Sequence, residues 1–122
     1  MYRTTLQAAT KPDPIDTTPP EMTTQQMNHT GRVMGEVWDE RRRQHNKRGE
    51  RNYEPHVYAV ILHEEVGEAA REICDYAFNP ESPSAQRDCA IRARAELVQV
   101  AAVAVAMIES LDRNQLNHAV NK

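Results

Sequence analysis

The sequence predicts an all-α protein: a helical bundle built on an antiparallel helix hairpin and completed by oligomerisation. Aromatic residues make up only 5% of the 122 residues, so the core depends on alanine and aliphatic side chains, a composition that favours helices over a β-sandwich. Apolar residues recur at helical spacing in three segments, and no segment alternates as a strand does. The chain length predicts a single domain.

We expect the first 22 residues to be an extended or disordered N-terminal arm, because four prolines fall between residues 11 and 20 without a repeat. A first helix is predicted to begin at Thr23 or Thr24, either of which can cap it, and to continue to about His45. Its apolar face comprises Met27, Met34, Val37 and Trp38. A loop follows, marked by Gly49.

A second helix is predicted from Pro55 to about Phe78, and a third from Pro83 to about Asp112 with Ser82 as its cap. The all-α domain would thus cover residues 23–113, and residues 114–122 would form a short tail. Between residues 97 and 108 the only polar side chain is Gln99. A helix that is apolar all round is expected to be buried on all sides, in the bundle or at a subunit interface.

Acidic residues of the second helix match the third helix in register. Glu68 lies 14 residues before Ser82 and Glu96 lies 14 residues after it, while Glu65 and Gln99 lie 17 residues to either side. In an antiparallel hairpin these four side chains would stand at equal heights, about 21 to 26 Å from the turn. The register predicts that three carboxylates and one amide converge.

Three unpaired carboxylates cannot share an interior without large pKa shifts or a cation. Ligands that are all oxygens select hard ions, so we expect Mg²⁺, or Mn²⁺ in its place, rather than zinc. The alternative interpretation is a solvated acidic helix face, which glutamates at this spacing commonly form.

Composition limits the function classes. The net charge of −3 gives no bulk attraction to nucleic acid, and the longest uncharged apolar run, residues 97–108, is too short to span a membrane. The first residues do not resemble a secretory signal. Cys74 and Cys89 are too few for a disulfide framework, so we expect two buried, reduced thiols and a cytoplasmic protein. The alternative is one disulfide between them, since they could meet across the hairpin near its turn.

A short basic segment has three interpretations. It contains Arg41, Arg42, Arg43, Lys47, Arg48 and Arg51. These residues could form a solvated helix end, where cations are favourable. Lys47, Arg48 and Arg51 could instead bind a triphosphate, and contact with nucleic acid is the third interpretation. Trp38, Tyr53, Tyr58 and His56 could stack on a base or could be core or interface residues.

Two paired motifs carry a family resemblance. The segment from Ile61 to Ala69 reads I-L-H-E-E-V-G-E-A, and Ala95 begins A-E-L-V-Q followed by an alanine–valine helix. Together they resemble the MazG-like nucleoside triphosphate pyrophosphohydrolases, whose signature is E-E-x-x-E and then E-x-x-D. The upstream run from Glu40 to Asn52 is similar to an E-R-x-R-Q-x-x-K-W-G-E-Q-N stretch of one branch. The resemblance covers roughly residues 37–112.

The resemblance implies an all-α fold and Mg²⁺-dependent hydrolysis of a nucleoside triphosphate to the monophosphate and pyrophosphate. Glu65 and Glu68 match the first pair of metal ligands and Glu96 matches the next. Glu64 matches the leading glutamate, a candidate for a further metal or for positioning the attacking water. For substrate binding we single out Lys47, Arg48, Arg51 and Trp38.

Two positions depart from the family pattern. Gln99 stands where the superfamily has aspartate, which removes one negative charge from the metal site. Arg48 stands where the branch has tryptophan, so no stacking role can be carried over to it. The competing hypothesis is therefore a catalytically inactive MazG-like module that binds nucleotide or a protein partner. For either function we expect a homodimer or homotetramer, since a lone three-helix chain would expose apolar surface.

Overall fold

The computed structural model describes residues 11–78 and 81–116. It contains three helices there: α1 (Thr24–Arg48), α2 (Pro55–Phe78) and α3 (Pro83–Asn114). No strand occurs in this part of the chain, which confirms the all-α class. Residues 11–22 form neither helix nor strand and are exposed. The rest of the predicted arm and the predicted tail from residue 117 lie outside the described residues.

The start of α1 follows from a capping box. The Thr23 hydroxyl accepts a hydrogen bond from the Gln26 amide, and the Gln26 side chain accepts one from the Thr23 amide. The helix ends at Arg48, three residues beyond the predicted end at His45. It ends there because Gly49 adopts a φ of 72°, a left-handed conformation that favours glycine, and donates its amide to the His45 carbonyl.

Proline and serine set the starts of the other two helices, as predicted. Pro55 is the first residue of α2. The Ser82 hydroxyl accepts a hydrogen bond from the Ala85 amide at 3.1 Å, and Pro83 is the first residue of α3. The third helix continues to Asn114, two residues past its predicted end.

Both α1 and α2 pack against α3. The most buried side chains of the described residues are mainly small: Val37, Tyr58, Ala69, Ala93, Ala102, Val103 and Ser110. Alanines at these contacts allow the helix backbones to approach closely. None of the three helices combines the length and the apolarity that a membrane span requires within the described residues.

The single chain covers the apolar stretch of α3 only in part, as expected of three helices alone: Leu97 is 49% exposed and Ile108 is 57% exposed. In the described part of the chain α3 has two neighbouring helices, and they leave one side of it open. The prediction that both cysteines are buried is wrong. The two thiols are free, as expected, but Cys74 is exposed and Cys89 is only partly covered rather than buried.

Candidate functional site

Three carboxylates meet where α2 faces α3. Glu65 and Glu68 lie one turn apart on α2, and Glu96 lies on α3. One oxygen atom of each of the three lies within 4.8 Å of the other two. The spacing on α2 places its two glutamates on one face of the helix. Packing of α3 on that face then adds the third carboxylate.

Two oxygens of this cluster are buried and lack a partner. In the described part of the chain, neither the Oε2 atom of Glu65 nor that of Glu96 has a hydrogen bond. A buried acceptor left unsatisfied costs about 1–3 kcal/mol. A group that supplies positive charge would offset this cost.

The electrostatics of the cluster oppose ionisation. Burial raises the pKa of Glu65, with further contributions from Glu68 and Glu64, while Arg48 acts in the opposite direction. Burial also raises the pKa of Glu96, followed by the charges of Glu68 and Glu65 and by a hydrogen bond with Glu68. Desolvation and neighbouring like charges both raise these pKa values, and a bound cation would lower them.

A pocket opens next to this cluster, between the end of α1, the start of α2 and the second half of α3. Glu65 belongs to the cluster and also lines the pocket, and Gln99 lines the pocket from α3. Five cationic side chains line it as well: Arg41, Arg43, Lys47, Arg48 and Arg51. Negative and positive charges are thus placed side by side.

Two of the five cations are already paired. Arg41 donates to Glu109 at 2.7 Å, and Arg43 donates to Glu40 at the same distance. Among the described residues, no ion pair within 4.0 Å engages the other three cations: Lys47, Arg48 and Arg51. These three are therefore available to an anion that enters the pocket, and the charge-assisted hydrogen bonds they can donate suit phosphate oxygens.

The donor set of the cluster fits a hard divalent cation. All three ligand atoms are carboxylate oxygens, and two of the residues bury an oxygen without a protein partner. Oxygen donors of this kind suit Mg²⁺ and Mn²⁺. The amide of Gln99 is a neutral donor on the next turn of α3 after Glu96.

The other residues predicted from the sequence are placed differently. Glu64 is exposed on α2 and is not one of the three clustered carboxylates. Trp38 is 62% exposed and is not among the residues that line the pocket. Its predicted role in substrate binding gains no support from its position. Lys47, Arg48 and Arg51 all line the pocket.

Sequence reasoning missed several residues around the pocket. Gln44, Ile61 and Val103 line it, although the sequence analysis gave them no role. Helical spacing could have indicated Gln44, which lies one turn from both Arg41 and Arg48 on the same face. The same spacing could have indicated Val103, which lies one turn after Gln99 on the same face of α3.

Comparisons with known proteins give no relative for this chain: no family model, no curated protein and no solved structure matches it.

Proposed function

We propose that this chain is a metal-dependent nucleoside triphosphate pyrophosphohydrolase, which cleaves a ribo- or deoxyribonucleoside triphosphate to the monophosphate and pyrophosphate. The observation that carries the proposal is the meeting of two charge sets at Glu65, with the carboxylate cluster on one side and the cation-lined pocket on the other. A metal–triphosphate complex presents the complementary charges in one molecule. The reaction class follows from the resemblance of the two motifs.

In this proposal Glu65, Glu68 and Glu96 hold the Mg²⁺ or Mn²⁺, and Gln99 offers its amide oxygen next to them. When bound, the ion withdraws charge from the phosphate oxygens and so favours attack at phosphorus. Glu65 also faces Arg48, so this carboxylate would help to orient the guanidinium that binds the substrate.

Lys47, Arg48 and Arg51 bind the phosphate oxygens of the substrate. Their side chains line the pocket and have no ion-pair partner among the described residues. A guanidinium can donate two parallel hydrogen bonds to one phosphate, which fixes its orientation as well as its charge. Substrate positioning of this kind supplies much of the catalysis in phosphoryl transfer.

Glu64 is the residue proposed to accept a proton from the attacking water. The water oxygen forms a bond to the α-phosphorus while the bond from that phosphorus to the bridging oxygen breaks, and pyrophosphate leaves. Glu64 is exposed next to Glu65, so solvent reaches it.

The catalytic unit in this proposal is an antiparallel helix hairpin of α2 and α3. Two contacts support the pairing. Glu72, late in α2, accepts a hydrogen bond from Arg92, early in α3, at 3.0 Å. Tyr58, early in α2, lies against the end of α3 together with Ser110 in one small pocket.

A second copy of the chain is proposed to complete the bundle as a homodimer or homotetramer. Large apolar side chains stand out on all three helices. The most exposed of these on the helices are Met27, Met34, Trp38, Val60, Phe78, Ile91 and Ile108. Exposed apolar surface of this extent commonly marks a protein interface. A nucleotide substrate and two free cysteines both favour the cytoplasm as its location.

The proposal is tested by the release of pyrophosphate from a panel of ribo- and deoxyribonucleoside triphosphates with Mg²⁺ or Mn²⁺. We expect turnover of at least one nucleotide, reduced about a hundredfold or more in Glu68→Gln, because a metal ligand is lost. The matched control is Glu81→Gln, which removes the same charge at an exposed residue just before α3 and leaves the three clustered carboxylates in place. Equal activity of the two variants would contradict the metal site.

Gln99 favours a second candidate function, a catalytically inactive module that binds nucleotide or a protein partner. The amide lines the pocket where the superfamily pattern has aspartate, and a site with one fewer charge holds a cation less tightly. Under this function the wild type releases no pyrophosphate from any nucleotide. Activity that appears in Gln99→Asp would then identify the missing carboxylate as the cause.

A further inference from the structure

The loop between α1 and α2, residues 49–54, brings two side chains to the rim of the pocket. Arg51 and Tyr53 both line the pocket from this loop. The Tyr53 ring lies edge to face against Tyr58, with the ring centres 5.3 Å apart. The position of the unpaired Arg51 guanidinium therefore depends on how this short loop is held.

The end of α3 holds the loop through Arg113. Its guanidinium donates to the Asn52 side-chain oxygen from two nitrogens, at 3.2 and 3.1 Å, and to the Arg51 carbonyl at 3.4 Å. It also pairs with Glu50 at 3.1 Å. One side chain, 61 residues away from Asn52 along the chain, thus contacts three consecutive residues of the loop.

Two more donors reach the same acceptors. Asn114 donates to the Asn52 side-chain oxygen at 2.9 Å, and the buried Tyr58 donates its hydroxyl to the Arg51 carbonyl at 2.8 Å. Since Arg113 has only donors, the Asn52 atom that faces it must be the amide oxygen, which fixes the orientation of this amide. The Arg51 carbonyl is held from both sides.

We propose that Arg113 is a positioning residue, which acts through the Asn52 side chain and the Arg51 carbonyl to hold the Arg51 guanidinium at the pocket for a phosphate group. This inference rests on the proposed function, because it assumes that the pocket binds phosphates. Arg113 itself does not line the pocket. Its contribution to binding is therefore expected to vanish when Arg51 is removed.

The first experiment measures whether Arg113 holds the loop. Trypsin cleaves after arginine, and the peptide bond after Arg51 contains the carbonyl that Arg113 and Tyr58 bind. We expect cleavage at this bond, mapped by mass spectrometry, to be about tenfold faster in Arg113→Ala. The loop then loses the hydrogen bonds that Arg113 donates, so it opens to the protease more often. The matched control is Arg87→Ala, which removes an exposed arginine from the other end of α3.

The second experiment measures whether the loop positions Arg51. Inorganic tripolyphosphate without divalent metal is titrated into the wild type, Arg51→Ala, Arg113→Ala and the double variant. We expect the Kd to rise about three- to tenfold in each single variant and no further in the double variant, because the two residues act as one unit. In a nucleotide assay Arg113→Ala would raise KM and leave kcat unchanged.

Three results overturn the inference. The first is an unchanged cleavage rate after Arg51. The second is a double variant in which the two losses of affinity add, since Arg113 would then act by its own charge. The third is a wild-type protein that does not bind tripolyphosphate. Binding of tripolyphosphate by a protein that hydrolyses no nucleotide would reject the proposed reaction and leave this inference standing.

Discussion

Glu65 and Glu96 each bury a carboxyl oxygen that has no hydrogen bond in the described part of the chain. Burial is the main cause that raises both pKa values, and neighbouring carboxylates add to it. Two partly buried acids that resist ionisation are costly for stability at neutral pH. The cation of the proposed metal site would offset this cost.

The first prediction concerns pH. A carboxyl whose pKa is raised by folding binds its proton more tightly in the folded state. The resulting stabilisation is complete below the ordinary value near 4.5 and is lost as pH rises through the raised pKa. We therefore expect the free energy of unfolding of metal-free protein to fall as the pH rises above about 4.5, because of Glu65 and Glu96. In Glu96→Gln this decrease should be smaller, and the free energy of unfolding at pH 7 should be about 1 kcal/mol higher than in the wild type.

Urea unfolding in the presence of a chelator, repeated across that pH range, measures this effect. Glu21→Gln is the control, because it removes an exposed carboxyl that lies outside the helices. Added Mn²⁺ should stabilise the wild type more than Glu96→Gln. Parallel pH profiles for wild type and Glu96→Gln would show that this carboxyl is not under strain.

At the scale of the elements, α1 brings most of the cations of the pocket and is attached to α3 by few contacts. Val37 is the one residue of α1 that is buried among those described, at 5% exposure. Two ion pairs connect the same helices, Arg41 with Glu109 and Arg94 with Glu36. The position of the cations relative to the carboxylates thus depends on a small interface.

The second prediction compares an apolar and an ionic contact in that interface. Val37→Ala should lower the free energy of unfolding by about 2 kcal/mol, because two buried methyl groups are lost. Glu36→Gln should lower it by less than about 0.5 kcal/mol, because exposed ion pairs contribute little. Urea unfolding of both variants measures the two losses of free energy. A larger loss in Glu36→Gln than in Val37→Ala would mean that the ion pair contributes more than the apolar contact to the attachment of α1.

At the scale of the whole molecule, the described residues of a single chain leave part of their apolar surface uncovered. Trp38 and Met34 stand exposed on one side of α1, and the open side of α3 exposes Leu97 and Ile108. In the described part of the chain, α1 and α2 are the neighbours of α3, and two helices cannot surround a stretch that is apolar on all sides. A second copy of the chain would supply the missing neighbours, which is the physical basis of the proposed oligomer.

The third prediction concerns this association. We expect the protein to sediment as a dimer or tetramer, and Trp38→Gln to shift the population toward the monomer by about tenfold or more in the dissociation constant, because a large apolar contact is lost. Asp39→Gln is the matched control, a change at the next residue of the same helix. Sedimentation velocity over a range of concentrations measures both, and a monomeric wild type would contradict the proposed oligomer.

The sequence predicted the helices well because their limits depend on local chemistry. The caps at Thr23 and Ser82 bond to amides three residues away, and Pro55 starts its helix by its own fixed φ. The end of α1 was predicted three residues early, because the backbone conformation of Gly49 sets that end and the sequence does not give this conformation.

Part of the candidate site also follows from the sequence. Counting outward from the turn predicted that Glu65, Glu68 and Glu96 approach one another, and oxygens of the three lie within 4.8 Å. The sequence also suggested Trp38 for substrate binding, as an aromatic side chain that could stack on a base, although this side chain is exposed and does not line the pocket. Register along a helix can be counted, whereas the rotation of α1 about its axis depends on packing.

The sequence by itself determined the all-α class, the starts of the helices and the pair of carboxylates on one face of α2. Only the tertiary structure decided that Glu65 borders a cation-lined pocket, that α3 stays open on one side, and that Arg113 binds the loop at Asn52. The physical reason is distance along the chain. Caps and helical faces are fixed by residues three or four positions apart, while contacts between residues 61 positions apart depend on how whole helices pack.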